Sequence, residues 1–355
     1  MVGIIYVGNI NRCPYLKHYT DCLDRIGLDY EIIYWNRSSK KDNGNLEKNK
    51  VVHVFEYPSK EQRPPYTKLI DFYKFGKFAR KIIKEKNYEK LVVLTTMTGI
   101  LLLKELCGKY KKKYIFDYRD ASYEYIKPFY MLLSRIIDNS AFTCISSRGF
   151  LKILPNNKKY IMAHNISSFE VSEQYDISRK DKYVVGYIGG LRSSNYMKML
   201  VDIFANDKRF DFIVHGGGDN YNEMVCYSDH FDNVKFTGFY DEKNKEQLIK
   251  EIDIICYNYP ESFNNNIALA NKYYDALVHR KPLLGNINTY SGKLIENNGI
   301  GISLDFKDHE YKTKLYNYLN NFDYIEFNKK CDVLLKEIMK EHNIYINKIE
   351  EFFTE

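Results

Sequence analysis

The sequence predicts an α/β protein built from two Rossmann-like, doubly wound parallel-sheet domains facing a common cleft. Three observations predict it. Short apolar runs alternate with stretches of helical periodicity along most of the chain, the rhythm that builds a parallel sheet covered on both faces. The rhythm halts in a polar, charged segment, Ile166–Lys182, and then restarts. The chain has 355 residues, too many for one ordinary core and suited to two.

In the first half the candidate strands are Gly3–Val7, Glu31–Tyr34, Val51–Phe55, Leu91–Thr95, Tyr114–Asp117 and Phe142–Ile145. Helical patterns lie between them at Pro14–Ile26, Thr67–Glu85, Ile100–Tyr110 and Tyr125–Asn139. In the second half the strands are Tyr183–Ile188, Asp211–His215, Val234–Thr237, Ile252–Cys256, Pro282–Leu284 and Ile300–Ser303. Helices are expected at Tyr196–Phe204, Lys243–Ile249, Ala268–Val278 and Tyr290–Glu296, and as several helices in the amphipathic stretch Asp308–Phe353. The expected domains are residues 1–166 and 167–339, with a final helix over about 340–355 packing back on the first. No internal repeat or low-complexity tract interrupts this pattern.

Composition narrows the function classes. Hydrophobic content of 45% with 28% charged residues is that of a folded globular chain. The seven cysteines are scattered, with no CxxC spacing, and read as free thiols in a reducing compartment. The eight histidines form no HExxH and no Cys/His cluster, so no metal site is expected. Met1–Gly8 reads as a first strand, not a secretory leader, and no stretch approaches the ~20 apolar residues that cross a bilayer. A protein of the cytoplasm, or of the inner face of the cell membrane, is expected. The net charge of +7 lacks a nucleic-acid motif or an aromatic-basic platform, so no nucleic-acid partner is expected. Within residues 66–86, Lys74, Lys77, Lys81 and Lys84 recur at helical spacing beside Phe72, Phe75, Phe78, Ala79, Ile82 and Ile83. That pattern marks either a membrane-surface helix or a core helix with a solvated basic face.

In doubly wound sheets, ligands bind beyond the carboxyl ends of the strands. After the first strand come Gly8 and Asn9, then Pro14 opening a helix. Such a turn admits an anion or is simply tight; the pattern is not GxGxxG. After the first strand of the second half come Gly189, Gly190 and Arg192, with Lys198 in the next helix. A guanidinium and an ammonium there suit a diphosphate, against the plain reading of surface charge on a turn. His215 is followed by Gly216, Gly217 and Gly218, expected to line a nucleotide; Thr237-Gly238-Phe239-Tyr240 borders a base or simply ends a strand. Asparagines 264–266 precede a helix they can cap. Lys272 sits near that helix's start, where a cation is unfavourable without an anion nearby. Asn271 and Asp275 flank it, and Asp275 is placed to accept the hydroxyls of a ribose or to face solvent. In the first half, Asp117, Arg119 and Asp120 end a strand. They form either a catalytic or acceptor-positioning patch, with Arg119 and Asp120 as the candidate catalytic pair, or an ion pair with Asp120 as a helix cap.

The second half resembles the retaining, family-4-type glycosyltransferases of the GT-B fold found in bacterial capsule and cell-surface polysaccharide pathways. The resemblance rests on Gly189-Gly190-Leu191-Arg192 with Lys198, on Gly216–Gly218, on Thr237-Gly238, and on Asn271-Lys272 with Asp275 and Lys281-Pro282. It implies that Arg192 and Lys198 bind the donor diphosphate and that Asp275 binds the donor ribose. The family's paired glutamates are absent: Asp275 stands at the second position and Ile267 at the first. No Asp-x-Asp triplet occurs, which agrees with basic side chains and amides, without a metal or other cofactor, neutralising the diphosphate. The expected reaction moves a sugar from a nucleotide-diphosphate donor, UDP being the family's usual carrier, to a hydroxyl of a lipid-linked glycan acceptor. The alternatives are a non-catalytic partner subunit of this fold and a sugar-nucleotide epimerase using His164 or His215.

Overall fold

The computed structural model describes residues 1–37, 51–59, 65–157, 159–166, 169–172, 180–191, 193–259 and 261–355. Arg192 and most of the expected linker lie outside the described residues. The chain divides into two compact units, Met1–His164 with Lys340–Glu355, and Asn165–Met339.

The first unit runs β1 (Val2–Tyr6), α1 (Leu16–Arg25), β2 (Tyr30–Asn36), β3 (Val51–Glu56), α2 (Pro65–Lys86) and β4 (Lys90–Leu94). It continues through α3 (Thr96–Leu101), α4 (Leu103–Cys107), β5 (Tyr114–Tyr118), α5 (Lys127–Asn139), β6 (Phe142–Ile145) and β7 (Tyr160–Met162). All its strand pairs are parallel, in the order β3-β2-β1-β4-β5-β6-β7. The order reverses between β1 and β4, the topological switch point of such a sheet. The strands are apolar on both faces because helices cover both. One face carries α1 and the end of the last helix, through Leu16, Tyr19, Leu23, Tyr345, Ile349 and Phe352. On the other face α2 buries Phe75, Ala79, Ile82 and Ile83, which places its basic residues outward. These four residues of its apolar stripe are therefore core surface, while Leu69, Ile70 and Tyr73 in its first turns stay exposed.

The second unit runs β8 (Tyr183–Ile188), α6 (Ser194–Phe204), β9 (Phe210–His215), α7 (Tyr221–Ser228), β10 (Val234–Gly238), α8 (Lys245–Lys250) and β11 (Ile254–Cys256). Then come α9 (Lys272–Val278), β12 (Leu283–Asn286), α10 (Tyr290–Asn298), β13 (Gly301–Leu304), α11 (Tyr311–Asn320) and α12 (Tyr324–Thr354). Its six strands are parallel in the order β10-β9-β8-β11-β12-β13, reversing between β8 and β11. Ser193 caps α6 by accepting from the Tyr196 amide at 3.4 Å, and Thr289 caps α10 in the same way.

Several elements differ from expectation. The three-residue strand β7 and the polar helix α7 have no counterpart among the expected elements. The expected helix Ile100–Tyr110 is two short helices, and the C-terminal stretch is two helices, not several. Helix α1 begins at Leu16, not Pro14. Helix α9 begins at Lys272, so Asn264–Asn266 do not cap it; the Asn264 carbonyl instead accepts from the Ile267 and Ala268 amides in a turn.

Candidate site at the switch point of the second unit

Three strand ends meet in the second unit. The Gly189 amide donates to the His215 carbonyl at 2.9 Å, the Leu191 amide to the Gly217 carbonyl at 3.0 Å, and the Gly216 amide to the Gly238 carbonyl at 2.9 Å. The turns after β8, β9 and β10 are thus hydrogen-bonded side by side. Glycine is required for this contact. Gly216 has φ 147°, and a Cβ there would lie 2.0 Å from the Gly189 carbonyl oxygen. Gly190 accepts from the Tyr187 hydroxyl at 3.2 Å, and the Gly218 carbonyl accepts from the Tyr221 amide as α7 begins. The Phe239 ring lies against Gly217. His215 donates or accepts through Nδ1 with the Thr237 hydroxyl at 2.9 Å, and burial lowers its pKa.

Lys272, the first residue of α9, extends into this region. It is only 5% exposed. Its Nζ lies 3.3 Å from the centre of the Tyr187 ring on β8 and 4.9 Å from that of Tyr259 beyond β11. Its Cε would be 3.7 Å from a Cβ at Gly189. Among the described residues its ammonium has no hydrogen-bond partner. The Tyr196 hydroxyl, whose pKa burial raises and which lies in the field of Tyr187 and Tyr259, is likewise buried without a partner among the described residues. So is Asn258 Oδ1, whose amide donates to Tyr311. Aromatic faces partly offset the burial of an ammonium, but they leave its N–H donors unused. A buried charge in that state is costly unless an anion completes it. The N-terminus of α6 adds the positive end of a helix dipole.

The remaining expected donor residues divide. Lys198 pairs with Glu223 of α7 at 2.6 Å and lies beside the Tyr227 ring. Asp275 pairs with Lys245 at 2.8 Å, both side chains largely buried. Asn271 is exposed at the head of α9 with no side-chain capping bond. Ile267 is buried.

At the switch point of the first unit, Asn9 Oδ1 accepts from the Arg37 amide at 2.6 Å, and Gly8 lies in the turn beside the Tyr6 ring. The Val7 amide donates to Thr98 at 3.1 Å. Thr95 holds φ 75°, a region that costs a β-branched residue about 1–3 kcal/mol. Arg119 is buried. Its Nε and one terminal nitrogen donate to Asp117 at 2.5 and 2.9 Å, the other to the Ala163 carbonyl at 2.7 Å, and it lies over the Tyr15 ring. Tyr19 also donates to Asp117, at 2.7 Å. Asp120, one residue on, is exposed and caps no helix, since α5 begins at Lys127. His164 bonds Glu341 at 2.8 Å, and burial lowers the histidine's pKa against that partner's pull.

No protein-family profile matches the chain, and no curated protein matches it in sequence. Solved structures match it over nearly its full length. A sucrose-phosphate synthase from Thermosynechococcus elongatus superposes with a TM-score of 0.74 at 10% identity, covering 99% of this chain and 98% of that one. This is the GT-B fold of glycosyltransferases. The lipopolysaccharide outer core galactosyltransferase WaaB, solved in its apo form, gives 0.62 at 12% identity over 97% and 99% of the two chains. Anabaena HepE, solved with UDP and glucose, gives 0.60 at 14% over 94% and 99%. Within the GT-B fold the switch-point residues Tyr187, Tyr196, Asn258 and Tyr259 escape sequence reasoning. Each reads there as core, and only the strand order brings Tyr187 and Tyr259 to Lys272.

Proposed function

We propose that the chain is a glycosyltransferase of bacterial surface polysaccharide synthesis. It moves a sugar from a UDP-type donor to a hydroxyl of a lipid-linked glycan, with retention of configuration and without a metal. The observation that carries this reading is the buried, uncompensated ammonium of Lys272 beside the glycine turns at the β8/β11 switch point. It supports an anionic ligand there, and the shared fold supports a nucleotide diphosphate sugar as that ligand. In the reaction the bond between the anomeric carbon and the diphosphate oxygen breaks. The acceptor oxygen bonds that carbon and loses its proton. Lys272, with the amides at the α6 N-terminus, meets the charge left on the diphosphate. Arg192 and Lys198 add to it, Lys198 by exchanging Glu223 for phosphate. Asp275 with Lys245 takes the ribose. Gly8 and Asn9 also bind the donor. Asp120 receives the acceptor hydroxyl, and Arg119 holds the strand end that presents it.

Calorimetric titration with UDP tests the reading, followed by assay of UDP release from UDP-sugars with a glycan acceptor. Lys272→Met keeps the stem against Tyr187 and removes the charge. It should weaken UDP binding by about 1.5–3 kcal/mol. It should leave the melting temperature unchanged or raised, because a buried unpaired charge disappears. Absence of UDP binding, or undiminished binding by the variant, sinks the proposal. Binding without turnover on any acceptor favours the partner-subunit alternative.

A further inference from the structure

Two segments that flank the end of α5 bring their lysines to the same spot. A helix leaves its last carbonyls without intrahelical partners, and cations gather at that negative end. At the end of α5 the carbonyls in question are those of Asp138 and Ser140. Lys112, in the turn before β5, donates its Nζ to both, at 2.5 and 3.4 Å. Lys159, one residue before β7, donates its Nζ to the same two, at 2.9 and 3.2 Å. Both backbones are tied to this turn. The Lys112 amide donates to the Asn139 carbonyl at 2.8 Å. The Lys159 amide donates to Asn157 Oδ1 at 3.0 Å, and Asn157 Nδ2 donates to the Asp138 carboxylate, also at 3.0 Å.

One ammonium carries three N–H donors, enough for both carbonyls. The second therefore adds repulsion where no bond is wanting. The exposed Asp138 carboxylate beside them is engaged by Asn157. Two like charges in one place are relieved when one group gives up its proton. Lys159 is the half-buried member of the pair and Lys112 the exposed one. Partial burial, and next the Lys112 ammonium, bring Lys159 down to about 8 against the pull of Asp138. A lysine that is neutral for a good part of the time is a nucleophile, and a neighbouring cation is one way such amines arise. Lys111 and Lys113, on either side of Lys112, are exposed and favour the approach of an anionic reagent. An amide formed on Lys159 keeps one N–H for these carbonyls while Lys112 keeps three, so the turn tolerates the product.

We propose that Lys159 is a modification site, whose amine takes an acyl group from an activated, anionic acyl donor, an acyl phosphate or an acyl thioester. The amine nitrogen bonds the acyl carbon. The bond from that carbon to the phosphate oxygen or thiolate sulfur breaks, and the proton lost by the amine goes to the leaving group or to water. The inference does not depend on the donor site. Incubation of the full chain near pH 8 with acetyl phosphate, and in a second arm with acetyl-coenzyme A, tests it, with acetylation of each lysine followed over time by peptide mass spectrometry. Lys159 should react about tenfold faster than the median lysine of the chain in at least one arm, and that arm assigns the donor. Lys112→Met removes the neighbouring charge and should slow Lys159 about tenfold. Lys112→Arg keeps the charge and should retain most of the native rate. The urea midpoint of each variant serves as the fold control. Lys159 reacting no faster than the median lysine in both arms overturns the proposal. So does an undiminished rate in a folded Lys112→Met chain, or a Lys112→Arg rate as low as that of Lys112→Met.

Discussion

Asp117 and Arg119 form a buried ion pair whose energetics hinge on completeness. The carboxylate accepts from Tyr19 and twice from Arg119, and the guanidinium's third bond goes to a backbone carbonyl. Removing one partner leaves a charge without water or counter-charge. Asp117→Asn, nearly isosteric, should therefore cost about 3–5 kcal/mol in urea unfolding, while Asp117→Asn with Arg119→Met should recover much of the loss. A single variant as stable as the native chain would show that the pair is not a tight unit. Residue roles of this kind were only half legible. Lys272 stood out in sequence as a cation at a helix start, and its side chain does enter the switch point. Lys198 was legible as a cation in the helix after the glycine turn, but its partner Glu223 lies on a helix too polar to recognise. Arg119 could be read as catalytic or as structural. Which way its side chain turned depended on Asp117, two residues back on the same face of the strand.

Element-scale behaviour is clearest in α12, which belongs to the second unit until Met339 and to the first from Lys340. Its last turns place Tyr345, Ile349, Phe352 and Phe353 in the core over β1, β4 and β6. Phe142 of β6 meets Phe352 edge to face. Lys90 of β4 also donates to the Phe352 carbonyl, at 2.5 Å. The helix is thus part of the first unit's core rather than a tail. Phe352→Ala should cost about 3–5 kcal/mol, read from the urea midpoint, because the pocket between α1 and the sheet cannot close over the missing ring. A loss below about 1 kcal/mol would mean that the end of α12 is not docked. Of the elements, the long apolar strands were legible to within a residue or two because burial on both faces leaves continuous Val, Ile, Leu and Tyr runs. Strand β7 was not, since three residues carry no period. Helix α7 was not, since its sequence YNEMVCYS buries only Met224 and Ser228. The first turn of α9 was misplaced because Ala268-Leu269-Ala270 continues the apolar pattern backwards into what is a turn.

For the whole molecule, the buried titrating groups predict an acid-limited stability. Burial, reinforced by the field of Arg119, lowers His18 to about 3, and burial also lowers His164, His342, His215 and His279. Glu31 loses solvation but accepts from Tyr88, Lys86 and His53, and those bonds prevail, holding it at about 2. All six folded-state pKa values lie below the unfolded ones. The unfolded chain therefore binds more protons throughout the acid range, and stability must fall as pH falls. The histidine contribution is complete above about 6.5 and erodes downward, for His18 as far as about 3. The Glu31 contribution is complete above about 4.5 and erodes toward about 2. Each of these two groups accounts for a few kcal/mol at most, on the order of 1.4 kcal/mol for every tenfold difference in proton affinity between the folded and unfolded chain. Urea midpoints measured from pH 8 to pH 4 should thus stay level down to about 6.5 and then decline, with the histidines dominating the first part of the slope. Because His18 packs edge-on against His342 and Tyr345, it couples α1 to α12, so its protonation loosens the docked helix as well as the site around Asp117. His18→Gln should flatten the decline between about pH 6 and pH 4 relative to the native chain, even if it lowers the plateau. A native profile that is flat to pH 4, or a variant with an unchanged slope, would contradict a folded state held together by neutral buried imidazoles.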